Sequence, residues 1–483
     1  MKDKFYITTP IYYANAAPHI GHAYTTVAAD ALARFYKSQG ANVFLLTGMD
    51  EHGAKIQKAA EKAGKSPQEF VDNISEGFEN LWKDLSIKYD GFIRTTDNNH
   101  KEAVRKVLQI LFEKGAIYKG EYEGLYCTGC EQFKSENELV DGKCPDHNIA
   151  PEMMKEECYL LKMTELQKEL IEKIKSDEFQ IAPERYKKEI LSFLEGQKLE
   201  DVSISRKNIL WGIPLPFDEE HTTYVWADAF LNYLTGLGWD GKLNDIPKQW
   251  PADVQLIGKD ILRVHATIWP IMLLHLGLPL PKKLFVHGHI LSGGKKMSKT
   301  LGNVIGIDEM IEKFGVDGTR YLLLSAGTFG EDVDVTMERM VEKYNNDLAN
   351  GLGNLVSRVV KLVQNFQFSI SPPKADQPWA GNFQTISNDQ TLNTLNNIEI
   401  EKALEYIWNI VRDSNKFIED NKPWESAKDE SRKEEFEKVM QKLVDDLGLI
   451  AELLTPFMPQ TSEKIKKALE TKKLDEVLFQ RIK

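Results

Sequence analysis

The 483-residue chain is 42% apolar and 28% charged with a formal net charge of −12, the balance of an ordinary globular protein with room for several cores. No run of 18 apolar residues occurs, and Met1-Lys2-Asp3-Lys4 leads straight into a strand-like segment. Neither a membrane span nor a signal peptide is therefore expected, and the cytoplasm is the default compartment. The acidic balance offers no global attraction for a polyanion, and four cysteines, three of them clustered, fit metal binding better than a disulfide framework.

A strand is expected over residues 5–9, and a long helix follows from His22, because Ala23, Val27, Ala28, Ala31, Leu32 and Phe35 recur at helical spacing. Gly40 is placed to end that helix, and residues 43–46 read as a buried strand. The junction His19-Ile20-Gly21-His22 puts two imidazoles where a helix N-terminus already favours an anion; the same residues also suit a plain helix cap. Gly21 lets a flat ring come close to the backbone. A second helix is expected over 66–85, so the first 115 residues follow βαβ logic, with ligands at the carboxyl ends of parallel strands. Thr47-Gly48-Met49-Asp50-Glu51-His52-Gly53 follows the second strand; its acids can grip a cation, or the stretch is a polar turn.

Between about 116 and 225 the rhythm breaks. Cys127-Thr128-Gly129-Cys130 is followed after thirteen residues by Cys144-Pro145-Asp146-His147, the spacing of two knuckles that close a tetrahedral zinc site of Cys127, Cys130, Cys144 and His147. Nothing in the pattern implies an open coordination position, so the zinc is expected to be structural. Cys158 sits in an apolar strand-like setting and reads as a buried thiol.

Two later stretches pass from strand to helix. In one, Trp226, Ala229, Phe230 and Tyr233 share a helical face; in the other, Ile261, Val264, His265 and Trp269 do. Such stripes fit a core, but His265 within one of them and Gly258-Lys259-Asp260 at a strand end point to a pocket. Asp260 also suits a helix cap. Gly293-Gly294-Lys295-Lys296-Met297-Ser298-Lys299-Thr300 is a glycine turn with cations that could close over phosphates or stand as a solvated loop. Beyond residue 340, amphipathic helices are expected over 339–366, 388–421 and 431–454, with joints at Pro372-Pro373 and Pro423. Trp424, after Pro423, suits a stacking platform or the bundle core.

Taken together, the histidine pair and the lysine loop resemble the HIGH and KMSKS motifs of class I aminoacyl-tRNA synthetases. Essentially the whole chain is similar to the methionyl-tRNA synthetase family, in its subtype with a single zinc knuckle. The resemblance implies a Rossmann-type α/β catalytic domain with a parallel sheet, split by a zinc-bearing connective insertion and followed by an all-α anticodon-binding bundle. Its implied bounds are 1–115 and 226–290 for the catalytic halves, 116–225 for the insertion, 291–340 for the KMSKS region and 341–483 for the bundle. It implies activation of L-methionine with ATP and Mg²⁺ to methionyl-adenylate and pyrophosphate. Transfer to the 3′-terminal adenosine of initiator and elongator tRNA(Met) then follows.

Residue by residue, the resemblance makes His19, His22, Lys296 and Lys299 catalytic, with Gly21, Gly258, Asp260 and Ser298 joining them around ATP. Methionine would be held by Ile11, Tyr13, Asp50, Trp226, Ala229, Tyr233, Ile261, His265 and Trp269. In this reading Asp50 meets the amino group, and the Tyr13 hydroxyl and the backbone near Ile11 meet the sulfur. Asn354, Arg358 and Trp424 would meet the CAU anticodon. Where relatives have serine and cysteine, this chain has Thr300 and His147, which keep a hydroxyl and a zinc donor. Its end soon after the bundle, where some relatives add a dimerising tRNA-binding domain, predicts a monomer. The insertion is too short for the large editing domain of the leucine, isoleucine and valine enzymes. A cysteine-specific enzyme would need a cysteine ahead of the HIGH motif, and none precedes Cys127. A small-molecule nucleotidyltransferase would leave the bundle unexplained, and a silent RNA-binding paralogue the intact histidines and lysines.

Overall fold

The computed structural model describes residues 3–129, 132–134, 139–145, 148–207, 209–297, 303–368 and 390–483. At its centre lies a six-stranded parallel sheet. Its strands are β1 (Lys4–Tyr13), β2 (Asn42–Asp50), β3 (Gly91–Arg94), β4 (Gln180–Ala182), β5 (Val254–Gly258) and β6 (Lys283–His287). Their spatial order is β3-β2-β1-β5-β6-β4, with every pairing parallel. Residues 254–258 are buried throughout, as expected of a strand covered on both faces. The chain winds outward from β1 to β3, passes to the opposite edge at β4, and then takes the place beside β1 at β5. That reversal opens a crevice between the carboxyl ends of β1 and β5.

β1 runs four residues past the expected 5–9. A register shift between Thr8 and Ile11 carries it past Pro10, which has no N–H to give a regular ladder. Helix α1 (Ile20–Ser38) then crosses the sheet with fourteen of its nineteen residues buried. Its alanine-rich sequence suits a helix covered nearly all round. Gly40, at φ +83°, turns the chain back as expected.

The stretch expected as one insertion over 116–225 is divided. Strands Ile117–Cys127, Gln132–Lys134, Glu152–Leu161 and Val202–Ser203 form a separate antiparallel sheet. Between them, however, β4 pairs with β6, Ile181 opposite Leu284. Helices Gln167–Lys175 and Glu184–Gly196 bury Leu170, Ile174, Ile190 and Leu194 in the same core as β5 and β6. A three-residue strand is too short to declare itself by periodicity, so this return to the sheet was invisible in the sequence.

After β6 a hairpin of Ile290–Ser292 and Lys295–Lys296 turns through Gly293 and Gly294, both at positive φ (63° and 73°). A two-glycine turn makes that reversal without strain. Helix Ile307–Leu324 leads on to the bundle of Asn354–Asn365, Ile400–Asn421, Lys433–Leu454 and Pro459–Thr471. The helix expected over 339–366 is three in series, Met337–Lys343, a wide-turn segment Tyr344–Gly353, and Asn354–Asn365. That expected over 388–421 breaks at Ile398, which adopts φ +63°. Pro372 and Pro373 lie outside the described residues. One continuous apolar cluster joins Val27 of α1, Leu322 and the bundle residues Val359 and Leu443. No helix among the described residues is long and apolar enough to cross a membrane.

Candidate functional site

The crevice begins at the N-terminus of α1, which His19 and His22 cap reciprocally. The Gly21 N–H donates to His19 Nδ1 (3.1 Å), and the His19 N–H donates to His22 Nδ1 (3.2 Å). The rings stack with centroids 3.7 Å apart. Because both Nδ1 atoms accept, each neutral ring carries its proton on Nε2. Burial and the neighbouring His19 hold the His22 imidazole well below its ordinary range, so it is a neutral donor at pH 7. A Cβ on residue 21 would lie 3.1 Å from the His19 ring; glycine there leaves that ring its place over the first turn. Tyr12 lies against His22 (4.7 Å between centroids) and its hydroxyl meets Thr26 Oγ1 at 2.6 Å. Burial pushes this phenol up to about 12, so it stays protonated. The cap reading of the histidines holds, and the cap places both imidazoles at the N-terminus of α1, where an anion is favoured.

Across the crevice, β5 ends at buried Gly258, where a Cβ would lie 2.6 Å from Asp260 Oδ1. The Asp260 carboxylate therefore folds back over that glycine, 3.8 Å from His289 Nε2, and stays largely exposed. It is not a helix cap, since Gly258 occupies that position. His287 Nδ1–H donates to the Gly288 carbonyl (2.8 Å), leaving Nε2 to accept from the Thr25 hydroxyl (2.7 Å); this bond ties α1 to the end of β6. The hairpin carrying Lys296 follows β6 directly, on the same edge of the sheet, and the Gly294 N–H is held by Asp334 (2.9 Å). Lys259 bridges to Asp332 at 2.7 Å beside it. Ser298, Lys299 and Thr300 lie outside the described residues.

The candidate methionine residues fall at the strand ends and in an aromatic cluster. Ile11 and Tyr13 lie at the end of β1, and Tyr13 pairs in register with Asp50, the last residue of β2. Beyond them Trp226 stacks on Phe230 (5.5 Å) and Phe230 on Trp269 (5.8 Å); Tyr233 packs on Trp269 (5.8 Å). Ala229 and Asp50 are buried, and Ile261 is half-buried. His265 donates from Nδ1 to the Ile261 carbonyl (2.9 Å) and accepts at Nε2 from the Tyr233 hydroxyl (2.8 Å). Burial lowers His265 to about 4 and raises Tyr233, so both are neutral. The face containing Trp226 and Tyr233 is split into two short helices, Val225–Ala229 and Asn232–Thr235. The buried hydroxyl in this cluster is that of Tyr233, whereas Tyr13 is half-buried at the rim under Lys55.

Sequence reasoning passed over Glu51. It is fully buried beside Asp50 and takes a bond from Arg94 Nε (2.7 Å) and from the Ser75 and Thr96 hydroxyls, while Trp211 Nε1–H donates to its carbonyl (2.5 Å). The acid pair in Asp50-Glu51-His52-Gly53 was the available signal. Arg206 was also missed. It stacks over Tyr224 at 4.4 Å and Tyr126 at 5.6 Å, joining the catalytic domain to the residue before Cys127; an isolated arginine gave no signal.

For the knuckles, Cys127 and Cys144 are fully buried and neither forms a disulfide. Cys144 sits on a tight turn: Val140 and Lys143 exchange both backbone bonds around Asp141 and Gly142, and the Asn148 N–H donates to the Cys144 carbonyl (2.7 Å). Two buried thiols, one ending a strand and one on a tight turn, fit a soft metal. Cys130 and His147 lie outside the described residues, among which no group of three or more metal-binding side chains occurs.

In the bundle, Asn354 and Arg358 line a cavity of about 390 Å³ with Asn346, Asn350, Arg412 and Asn415. Arg358 pairs with Glu419 (2.7 Å) and lies over Trp424 at 5.8 Å. Trp424 is half-buried against the bundle core, as its packing reading has it.

Residues 5–150 and 147–360 match the family model for class I tRNA synthetases (M), and residues 383–478 match the anticodon binding domain of methionyl tRNA ligase. The chain is 47% identical over 473 residues to the methionine–tRNA ligase of Clostridium acetobutylicum, covering 97% of this chain and 73% of that one. To the ligase of Clostridium tetani it is 46% identical, covering 97% and 74%. Among solved structures it is similar to Mycobacterium tuberculosis methionyl-tRNA synthetase in complex with methionyl-adenylate, with a TM-score of 0.88 and 35% identity over 96% of this chain and 93% of that one. The chain belongs to the class I methionyl-tRNA synthetases, aminoacyl-tRNA ligases that use ATP to join methionine to tRNA.

Proposed function

We propose that adenylate formation takes place in the crevice between β1 and β5, with methionine in the aromatic cluster and Mg²⁺·ATP over the N-terminus of α1. The observation that carries this reading is the reciprocal cap, which stacks two imidazoles where a helix N-terminus attracts phosphate. The methionine carboxylate attacks the α-phosphorus in line. A P–O bond forms, the bond to the β-phosphate breaks, and pyrophosphate leaves with its electron pair. His19 and His22 donate to the phosphoryl oxygens as charge gathers on them, and each such donor is worth on the order of 10²–10³ in rate. Lys296 and Lys299 neutralise the departing pyrophosphate. Asp50 takes the amino group, and Gly258 and Asp260 take the adenosine side.

The thioether meets ring faces of Trp226, Tyr233 and Trp269 and the end of β1 near Ile11; sulfur–ring contacts are worth roughly 0.3–1.5 kcal/mol each. The Tyr233 proton is committed to His265, which keeps that hydroxyl from presenting a loose polar group to an apolar side chain. In the second step the tRNA 3′-terminal adenosine takes the methionyl group from the adenylate. Asn354, Arg358 and Trp424 meet the CAU anticodon of initiator and elongator tRNA(Met). Cys127, Cys130, Cys144 and His147 hold one structural zinc, which pins the two turns of the insertion together. The chain works in the cytoplasm as a monomer, since one molecule supplies both the catalytic crevice and the anticodon face.

The test compares two variants in methionine-dependent pyrophosphate exchange without tRNA and in tRNA charging. His22→Asn is expected to lower both by roughly 10²-fold or more. Trp424→Ala is expected to lower charging alone, with a loss of roughly 1–3 kcal/mol in tRNA binding. Equal loss of both activities in Trp424→Ala refutes the anticodon role, and full exchange activity in His22→Asn refutes the crevice mechanism.

A further inference from the structure

Behind the aromatic cluster lies a buried polar group that the mechanism above does not use. Asp228 is 1% exposed, yet no lysine or arginine among the described residues pairs with it. Its Oδ2 meets His52 Nδ1 at 2.6 Å and its Oδ1 meets His100 Nε2 at 2.7 Å; both histidines are buried. His100 Nδ1 meets the Thr235 hydroxyl at 2.7 Å. The carboxylate is held down to about 2 because, although burial opposes ionisation, His52 and His100 both favour the charged form. Each oxygen is committed to a different element, so Asp228 reaches no substrate.

The elements it joins are those that hold the two ends of the amino acid. His52 comes two residues after Asp50, and Asp228 lies between Trp226 and Ala229 on the helix Val225–Ala229. His100 belongs to the helix Asn98–Glu113, which backs both. Packing alone does not account for a carboxylate here, since an apolar side chain would fill the space without the cost of burying a charge. What a carboxylate adds is direction: one short bond ties the helix of Trp226 to the residues after β2, and the other ties it to the helix Asn98–Glu113. We propose that Asp228 is a positioning residue for amino-acid recognition, setting the distance between the Asp50 carboxylate and the ring wall of Trp226 through its bonds to His52 and His100. This rests on the reading of Asp50 and Trp226 as methionine contacts.

The experiment measures KM for methionine and for ATP in pyrophosphate exchange, on wild type and variants normalised by active-site titration. Asp228→Asn keeps the shape but places an amide N–H against an imidazole N–H. It is expected to raise KM for methionine roughly tenfold to hundredfold with KM for ATP unchanged, as a small misplacement of one binding group does. His52→Leu is expected to do the same. His52→Asn, whose amide can donate where Nδ1–H did, is expected to restore most of the loss. An unchanged methionine KM, or equal rises in both KM values with a lowered melting temperature, overturns the proposal. Should Asp228→Asn not fold, the His52 pair decides: a normal KM in His52→Leu, or no rescue by His52→Asn, overturns it equally. Asp50→Asn separates the two layers. If it leaves the methionine KM unchanged, the reading of the pocket has failed; if it raises KM while the Asp228 and His52 variants do not, only the positioning role has failed.

Discussion

Arg320 Nη2 lies 2.7 Å from Asp30 Oδ2, with both side chains fully buried. Asp30 belongs to α1, two turns beyond the histidine cap, and Arg320 to the helix Ile307–Leu324. The same guanidinium donates to the carbonyls of Phe457 (2.8 Å) and Pro456 (3.1 Å) in the bundle and of Leu85 (3.2 Å) below the sheet. Asp30 also accepts from Arg34 Nε and from the Lys88 N–H. One buried cation thus joins the helix capped by His19 and His22 to the segment between the helices Lys433–Leu454 and Pro459–Thr471 of the bundle.

Removing Arg320 leaves Asp30 buried with fewer cationic partners and three carbonyls without a donor. Arg320→Met is expected to cost roughly 3–5 kcal/mol, measured by equilibrium denaturation, whereas the double variant Asp30→Leu/Arg320→Met regains part of it because no carboxylate is left buried without Arg320. A single variant within about 1 kcal/mol of wild type would show that the pair is not needed to hold the helices.

The pH dependence of stability follows from His265. Its native imidazole is held at about 4 by burial, while in the unfolded chain it titrates near its ordinary 6.5. Between these values the unfolded state binds the proton and the native state does not. Stability from this group is therefore complete above pH 6.5 and falls as pH drops toward 4, by on the order of 3 kcal/mol in all. Denaturation profiles at pH 7.5 and 5 are expected to converge for His265→Gln and wild type as the pH falls, because the variant lacks this loss. Parallel profiles would exclude His265 as their source.

The knuckle makes a compositional prediction. Elemental analysis of the purified protein is expected to find about one zinc per chain, and Cys127→Ser or Cys144→Ser to lose it together with thermal stability. Stable, fully active protein containing no zinc would remove the metal from the account.

Much of this protein was determined by the sequence alone, and always by signals of short range. The reciprocal cap of His19 and His22 spans four residues, the Gly293-Gly294 turn two, and the Cys144 turn is formed by residues 140–149. Such features are set by backbone dihedrals and neighbouring side chains, so they are legible wherever they occur. Tertiary structure decided the rest. Asp228 meets His52 across 176 residues, and Arg320 meets Phe457 across 137. β4 belongs to the catalytic sheet only because Ile181 finds Leu284. Whether a carboxylate is a solvated surface group or the charge that positions a pocket depends on which distant donors fold around it, and the energy that settles the matter, desolvation against pairing, exists only once the chain is packed.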